Sequence, residues 1–403
     1  MAVSGEAAVA VSGEAAVARC IEPVELGEFL AEFWERRPLT VARDEPGRFD
    51  DLLSPAELDR LLCSGGLRYP AFRLVKAGAQ LAFSDYTVDV PWRPLPFAGT
   101  ADVDRVLAEF AGGATIVLQG LHLHHPPLAR FCRALEQVLG HPAQANAYST
   151  PRASQGLGVH HDTHDVLCLQ VAGEKRWLVY EPVLELPLRQ QRYSAEMGGP
   201  GEAVLDLVLR PGDTLYLPRG WLHEALTSET DSLHLTIGLN AHTWIDAVRA
   251  ALDDCAGELA FRRSVPESGE TADDLLALLA ERLRPEKVAR RRRDRLLRTR
   301  RSIREAEIAE LRALDDLGPA TEVRRRGTVI ADVRAGDDLR LVFEGKELVF
   351  PGRVREEVEF VAAAEASFSA LDLPGDLDEE GRLVLLRRLV REGFLRLAAA
   401  PST

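Results

Sequence analysis

The spacing of apolar residues is that of α-helices in the first part of the chain, up to about residue 140. In PVELGEFLAEFWERRPLTV apolar side chains recur every three or four positions, which predicts a helix that Pro38 ends. A second helix is predicted to begin at Ser54, where Glu57 completes a capping box. A third helix is predicted in PLARFCRALEQVLG and stops at Gly140.

The apolar period shortens to two between about residues 144 and 240. The segment DVLCLQVAGEKRWLVYEP predicts two strands around an Ala-Gly-Glu turn, LDLVLRPGDTLYLP predicts two more around Pro-Gly-Asp, and DSLHLTIGL predicts another. Short antiparallel strands separated by such turns are typical of a closed or sandwiched all-β core. We therefore predict a mostly β, cupin-like jelly-roll, also called a double-stranded β-helix, with flanking helices.

Two other segments complete the predicted organisation. Helical spacing returns after Trp244, and the last segment mixes strands and helices in an order compatible with a winged helix. The repeat VSGEAAVA, present twice in tandem near the N-terminus, offers little to bury and predicts disorder. The predicted parts are a disordered tail at 1–20, a cupin-like domain at 21–245, a helical region at 246–315 and a small α+β, winged-helix-like domain at 316–403.

Composition places the chain among globular proteins. It has 403 residues, of which 46% are hydrophobic and 28% charged. It contains no run of about 18 apolar residues and no basic flank before an apolar stretch at its N-terminus, so neither a membrane span nor a secretory signal is predicted. The five cysteines are never in CxxC spacing, which argues against a disulfide framework or a zinc ribbon. A soluble, cytoplasmic protein without a membrane partner is expected.

The charge is distributed unevenly. The net charge is −14, yet residues 281–304 hold twelve basic and only three acidic residues. An acidic body repels polyanions and attracts basic proteins or peptides, so direct nucleic-acid binding is not predicted. We interpret the basic stretch as a solvated helix face that pairs with acidic helices of the same chain, with RNA contact as the alternative.

The segment GVHHDTHDVL, residues 158–167, contains three histidines and two aspartates. Because alternate side chains of a strand share a face, His160 and Asp162 are predicted to point the same way and His161 the other. His223 in PRGWLHEA follows a strand, and the preceding turn is expected to aim it at the same point. Two imidazoles and one carboxylate form the facial triad of non-haem Fe(II), whereas a structural zinc site prefers four protein ligands.

Lys175 is a candidate for holding an organic anion beside that metal. It ends the turn AGEK, on a strand that is expected to return alongside Asp162. A buried ammonium without a neighbouring acid requires an anion, and the distal carboxylate of 2-oxoglutarate would serve. The alternative is a solvated lysine in a turn.

Two long stretches carry a family resemblance: NAYSTPRASQGLGVHHDTHDVLCLQVAGEKRWLVYEP and PGDTLYLPRGWLHEALTSETDSLHLTIGL. They resemble the JmjC-type ribosomal oxygenases, which are cupin-like 2-oxoglutarate-dependent protein hydroxylases. The resemblance covers roughly residues 21–245 at motif level. It implies that His160, Asp162 and His223 bind Fe(II) and that Lys175 binds the 2-oxoglutarate carboxylate. The later segments follow the family's order of helical dimerisation region and winged helix, which implies a homodimer.

The resemblance also implies where a substrate binds. Asn146 and Tyr148 match an N-x-Y element that lines the substrate pocket in the family. One position departs from the pattern, because Gly238 stands where the histidine-hydroxylating members carry a serine that helps to hold the target side chain. The target is therefore left open between arginine, histidine and another residue.

The expected function is Fe(II)- and 2-oxoglutarate-dependent hydroxylation of a protein or peptide, with a basic ribosomal protein as the expected partner. Three alternatives stay open. The same chemistry can act on a biosynthetic peptide or a small metabolite, or can demethylate a methyl-lysine. A non-catalytic, cupin-like binding protein would keep the fold, but it would tolerate loss of the triad and of Lys175.

Overall fold

The computed structural model describes residues 13–64, 66–226, 229–265, 267, 273–304 and 307–398. The chain divides into two compact units, Met1–Ala241 and His242–Thr403, which we call the first and the second unit. The finer domain boundaries expected from the sequence stay predictions.

Two antiparallel sheets build most of the first unit. Its strands along the chain are β1 (Leu39–Val41), β2 (Phe72–Lys76), β3 (Ala79–Gln80), β4 (Thr87–Val90), β5 (Phe97–Ala101), β6 (Thr115–Leu118), β7 (Ala143–Thr150), β8 (Asp165–Gly173), β9 (Lys175–Tyr180), β10 (Ala203–Leu209), β11 (Thr214–Leu217), β12 (Leu222–Leu226) and β13 (Ser232–Leu239). The larger sheet has the order β1-β11-β8-β13-β7-β6-β2-β3, and the smaller has the order β10-β9-β12, while β4 and β5 pair separately.

The chain passes repeatedly between the two sheets, and from β10 to β13 each strand lies in the other sheet from the strand before it. Strands β8, β11 and β13 lie in the larger sheet, and β9, β10 and β12 lie in the smaller one. The turn from β8 to β9 requires Gly173, since it has φ +62° and an added Cβ would lie 1.6 Å from the carbonyl oxygen of Asp231. This alternation is the predicted jelly-roll. One detail of the prediction is wrong: the strand of Lys175 does not pair with β8, because the turn carries the chain into the other sheet.

The two faces of the larger sheet pack against different parts of the protein, because successive side chains along a strand point to opposite faces. One face, with Ala147 of β7 and Ile237 of β13, joins a large core shared with the helices. The other face, with Cys168 of β8, packs against Trp177 and Val179 of the smaller sheet. Side chains on this second face therefore line the space between the two sheets.

The described part of the first unit also contains the helices α1 (Gly13–Ile21), α2 (Leu26–Glu28), α3 (Pro55–Ser64), α4 (Val103–Ala111) and α5 (Pro126–Leu139). A π-helical turn, Phe29–Phe33, continues α2. The predicted helix ends are confirmed at two places. The backbone N–H of Glu57 donates to Oγ of Ser54 at 3.1 Å, and Gly140 ends α5 with φ +67°.

The predicted disordered tail is wrong for residues 13–20, because they form most of α1. Ala16, Val17 and Cys20 are buried on one face of this helix. A Cβ added at Gly13 would lie 2.6 Å from Cγ2 of Val138, so small side chains let α1 approach α5 closely. A composition that offers little apolar surface can thus still be buried. Residues 1–12 of the predicted tail lie outside the described residues.

The second unit begins with helices and ends in a small α+β core. Its helices are α6 (Trp244–Cys255), α7 (Asp273–Arg282), α8 (Pro285–Thr299), α9 (Glu307–Arg312), α10 (Arg355–Ala363) and α11 (Glu379–Arg391). Its strands are β14 (Val323–Arg325), β15 (Ala331–Arg334), β16 (Asp338–Phe343), β17 (Lys346–Pro351) and β18 (Leu395–Leu397). They form the sheets β15-β16-β17 and β14-β18, and the apolar core between them and the last helices includes Phe343, Leu386 and Phe394. Assignment to a winged helix stays a prediction.

The helices of the described residues are short or polar compared with a membrane span. Among them, none is both long enough and apolar enough to cross a bilayer.

Candidate metal centre

His160, Asp162 and His223 converge on one point. One candidate ligand atom from each side chain lies within 4.8 Å of the other two. Nε2 of His223 lies 3.8 Å from Oδ2 of Asp162, and the two imidazole centroids are 4.4 Å apart. The sequence predicted that these three side chains point to one site, and the structure places them together.

Backbone hydrogen bonds hold the two segments that carry the candidate ligands against each other. The N–H of His160 donates to the carbonyl of His223 at 3.1 Å, and the N–H of His223 donates to that of His160 at 2.8 Å. The N–H of Gly220 donates to the carbonyl of Asp162 at 3.1 Å. The predicted continuous strand is wrong here, since His160 forms a single bridge and Asp162 lies in the loop before β8.

Both imidazoles present the same ring nitrogen to the centre. Nδ1 of His160 lies 2.8 Å from the carbonyl of Gly158, and Nδ1 of His223 lies 3.0 Å from that of Trp221. A carbonyl only accepts, so each Nδ1 carries the proton and each Nε2 keeps its lone pair for a metal. Such hydrogen bonds fix the tautomer and orientation of metal-binding histidines.

The charge states of His223 and Asp162 suit a divalent cation. Burial, and then the neighbouring His160, lower the pKa of His223 to about 4, so this imidazole is neutral at pH 7. Burial raises the pKa of the Asp162 carboxyl, but the imidazoles of His164, His223 and His160 outweigh that effect and hold the pKa below its ordinary value. Two neutral imidazoles and one carboxylate are the ligand forms that metal binding requires.

Lys175 is buried, with 2% of its surface exposed, so the alternative of a solvated lysine is wrong. Its Nζ donates to Oγ1 of Thr150 at 2.8 Å, and Oγ1 of Thr115 also donates to Oγ1 of Thr150 at 3.0 Å. Burial lowers the pKa of Lys175 to about 7. A cation in this position gains from an anion that replaces its lost hydration.

Aromatic side chains connect Lys175 with the triad. The ring of Trp177 lies 5.9 Å from that of His223 and 5.5 Å from that of His234. Burial, and then the charge of Lys175, lower the pKa of His234. Nε1 of Trp177 and Nδ1 of His234 are buried without a hydrogen-bond partner among the described residues. Buried polar atoms of this kind are usually satisfied, which indicates room for a polar ligand here.

Strand β7 presents Asn146 and Tyr148 on the face that looks into the space between the sheets. The ring of Tyr148 stacks on that of His234 at 5.0 Å, and burial, and then Asp162, raise the pKa of Tyr148 to about 12. Oδ1 of Asn146 accepts a hydrogen bond from the N–H of Gly120 at 3.0 Å. Thr150 follows at the next position on this face. Sequence reasoning missed it, although the period of two that links Asn146 with Tyr148 also reaches Thr150.

The other histidines divide into neighbours of the site and structural residues. Nε2 of His161 lies 3.0 Å from the carbonyl of Gln191, so this ring points away from the triad as predicted. His164 adjoins Asp162 and also Gly238, where an added Cβ would lie 3.1 Å from Cε1 of His164. Nδ1 of His122 accepts the N–H of Ala145 at 3.1 Å, which agrees with a structural role for that histidine.

Comparison with known proteins defines the class first. Residues 121–247 match the JmjC domain family. This match includes all three residues of the triad. The two-sheet fold is cupin-like, and the matched segment within it is similar to JmjC domains.

Relatives and a solved structure narrow this class. The bifunctional lysine-specific demethylase and histidyl-hydroxylase NO66 of Drosophila persimilis is 32% identical over 221 residues, 55% of this chain and 31% of that protein. Ribosomal oxygenase 2 of Rattus norvegicus is 32% identical over 263 residues, 61% of this chain and 53% of that protein. The chain therefore spans about a third to a half of the length of these relatives.

The Escherichia coli ribosomal oxygenase YcfD, solved in complex with cobalt and 2-oxoglutarate, has a similar fold. The TM-score is 0.57 at 20% identity, over 93% of this chain and 99% of that one. The predicted fold class is confirmed. Residues 121–247 are similar to JmjC domains and the chain is similar in sequence to ribosomal oxygenases, as the motifs predicted.

Proposed function

We propose that this chain is an Fe(II)- and 2-oxoglutarate-dependent oxygenase that hydroxylates a side chain of a protein. The observation that carries the proposal is the convergence of His160, Asp162 and His223 with both Nε2 atoms free to ligate. Two imidazoles and one carboxylate are the donor set of non-haem Fe(II) oxygenases, and they leave coordination positions open. The names of the relatives, which are oxygenases and hydroxylases, support the same class of reaction.

The side chains of the site form two groups, one proposed to bind the iron and one proposed to bind the distal carboxylate of 2-oxoglutarate. His160, Asp162 and His223 would hold the iron, which together with 2-oxoglutarate and dioxygen supplies the oxidising chemistry. Lys175 and Thr150 bind the distal carboxylate of 2-oxoglutarate, and Lys175 is protonated when it does so. The 2 % exposure of Lys175 keeps this end of the site dry, which strengthens the ion pair with the carboxylate.

The substrate we propose is a basic ribosomal protein. The names of the relatives point to ribosomal proteins, and the net charge of −14 favours a basic partner. Asn146 and Tyr148 are the proposed contacts of the target side chain, and they position the carbon that reacts. Gly238 leaves arginine and histidine both open as targets.

The test is turnover of 2-oxoglutarate by the purified full chain with Fe(II), alone and with ribosomal proteins from cells that lack the gene. We expect succinate formation that rises with the substrate, and a mass increase of one oxygen atom on one side chain. Stimulation only by small peptides or metabolites would replace the proposed substrate. Absence of any succinate would favour the non-catalytic binding protein.

Demethylation is the second candidate, because the name of the Drosophila relative includes a lysine-specific demethylase. The same mass spectrum separates the two reactions. Demethylation would remove a methyl group from a methyl-lysine peptide and release formaldehyde, whereas hydroxylation retains the added oxygen.

We also propose that the helical region 246–315 forms a homodimer and that residues 316–403 are a winged-helix-like domain. The proposed location of the protein is the cytoplasm. The helices α6 to α9 and the separate core of the last strands support this division. Sedimentation of the full chain and of a variant altered on the exposed apolar side chains Trp244 and Leu252 tests the dimer, which the variant is expected to weaken.

A further inference from the structure

A buried ion pair joins the two segments that carry the candidate metal ligands. Asp165, the first residue of β8, follows Asp162 by three positions and is fully buried. Arg219, in the turn between β11 and β12, precedes His223 and is also buried. Nη1 of Arg219 donates to Oδ2 of Asp165 at 3.0 Å. The same nitrogen also contacts Oε1 of Glu35, at the partly exposed end of the group.

The carboxylate of Asp165 is held from three directions. Its Oδ1 accepts from the hydroxyl of Tyr216 at 3.0 Å and from the backbone N–H of Arg219 at 3.3 Å. The hydroxyl of Tyr216 in turn accepts the N–H of Glu35 at 3.0 Å. Asp165 therefore meets both the side chain and the backbone of the turn that leads to His223.

The register of the sheet explains why the pair lies at this point. Strands β8 and β11 pair until Val166 lies opposite Leu217. The next residues, Asp165 on one strand and Pro218 on the other, are where the chain leaves the larger sheet. Beyond this point β11 turns towards the smaller sheet and Gly220 donates to the backbone of Asp162. The ion pair thus ties the turn to the start of β8, and His223 follows this turn on β12.

Stability alone gives a weak reason for this arrangement. Removing two charges from water costs several kcal/mol for each ion, and apolar replacements of buried ion pairs are often neutral or stabilising by about 1–4 kcal/mol. A buried pair does, however, favour one register of the groups it joins over others. Residues around a metal site that orient its ligands typically change the metal affinity by about 10- to 100-fold when they are replaced.

We propose that Asp165 and Arg219 are positioning residues, whose ion pair holds the Asp162 and His223 segments at the separation that one metal ion requires. Neither residue is a ligand. The proposal rests on the proposed function, because it presupposes that the triad binds a divalent metal. It adds that affinity for this metal depends on a charge pair outside the triad.

The test is a titration of the full chain with Co(II), followed by calorimetry and by the visible absorption of the bound ion. The variant is Asp165→Asn combined with Arg219→Met. It removes both buried charges and keeps an acceptor for Tyr216, and the one carboxylate that loses its arginine, Glu35, is partly exposed to water, so we expect it to unfold close to the native urea concentration. We expect its Co(II) dissociation constant to rise by about 10- to 100-fold, with a changed absorption spectrum. The single Arg219→Lys variant keeps the charge and should recover part of the affinity.

The matched control is Glu136→Gln, which breaks the equally buried pair of Arg133 and Glu136 in α5. It is expected to lower stability and to leave Co(II) binding unchanged. Co(II) affinity that follows stability across all these variants, or native affinity in the double variant, would overturn the positioning role. If the native chain binds no Co(II), the proposed metal site itself is wrong and this inference is overturned with it.

Discussion

Nζ of Lys175 donates a hydrogen bond of 2.8 Å to Oγ1 of Thr150, a neutral partner, inside the space between the two sheets. A hydroxyl does not compensate the charge of a buried ammonium, so burial lowers the pKa of Lys175 from 10.5 to about 7. A bound anion would therefore stabilise the protonated form of Lys175.

Lys175→Met is expected to raise stability and to abolish 2-oxoglutarate binding. Between pH 7 and 10.5 the unfolded chain binds more protons than the native one, so native stability rises with pH across this window. The variant lacks this dependence. Its gain should be on the order of a few kcal/mol below pH 7, less the lost hydrogen bond, and should shrink towards pH 10.5. Urea unfolding at several pH values measures it.

The same titration predicts how native 2-oxoglutarate binding depends on pH. The bound carboxylate favours protonated Lys175, so binding takes up a proton and weakens as the pH rises above about 7. Lys76→Met, at a partly exposed lysine paired with Glu109, is the control and should change neither property. Binding that is independent of pH between 6 and 9 would contradict the role of Lys175.

His160→Ala and His223→Ala are expected to abolish 2-oxoglutarate turnover and leave the fold intact. Each removes one of the three proposed ligands, and the remaining pair would not hold the ion in a fixed geometry. Succinate release and far-ultraviolet circular dichroism are the measurements. His161→Gln, which changes the adjacent imidazole that points away, is the control and should keep turnover. Undiminished succinate release by either alanine variant would refute the ligand assignment.

The main lines of the fold followed from the sequence because the underlying signals are local. Alternating apolar residues and the turns at Gly173 and Gly212 specify short strands, and the strands predicted on either side of these two turns are present. The pairing of the strands, in contrast, did not follow from the sequence. The strand of Lys175 was expected beside β8, but pairing depends on where a turn directs the chain, and a single sequence does not contain that information.

In the candidate site, too, local features were predicted and long-range contacts were not. Two-residue spacing predicted that His160 and Asp162 share a face, and the structure places them together, although a single bridge and a loop replace the expected strand. Asp165 and Arg219 gave no signal, since they are far apart in the chain and a lone acid or base is common at a surface. Burial of small residues in α1 was missed for a related reason: alanine contributes to packing only where a partner helix comes close.

Gly238→Ala is expected to weaken the use of the protein substrate more than it disturbs the structure of the candidate site. An added Cβ would lie 3.1 Å from Gln144 and from Cε1 of His164, so both side chains must shift. We expect a loss of stability of about 1 kcal/mol and a severalfold higher KM for the protein substrate. Gly199→Ala, where nothing lies within 4 Å, is the control. Unchanged substrate kinetics would show that this corner of the site does not touch the target.

Replacing the four arginines Arg290 to Arg293 by glutamine is expected to leave RNA affinity unchanged. Acidic residues of the second unit already neutralise part of this charge: Nε of Arg291 donates to Asp254 at 2.9 Å, and Nε of Arg293 lies 3.8 Å from Asp332. Exposed pairs contribute about 0.2–1 kcal/mol each, so the variant should lose a small amount of stability. Fluorescence anisotropy with a ribosomal RNA fragment at several salt concentrations is the measurement. If these arginines contacted phosphates, the native chain would bind more tightly at low salt and the variant would lose this salt dependence, which would establish the RNA contact instead.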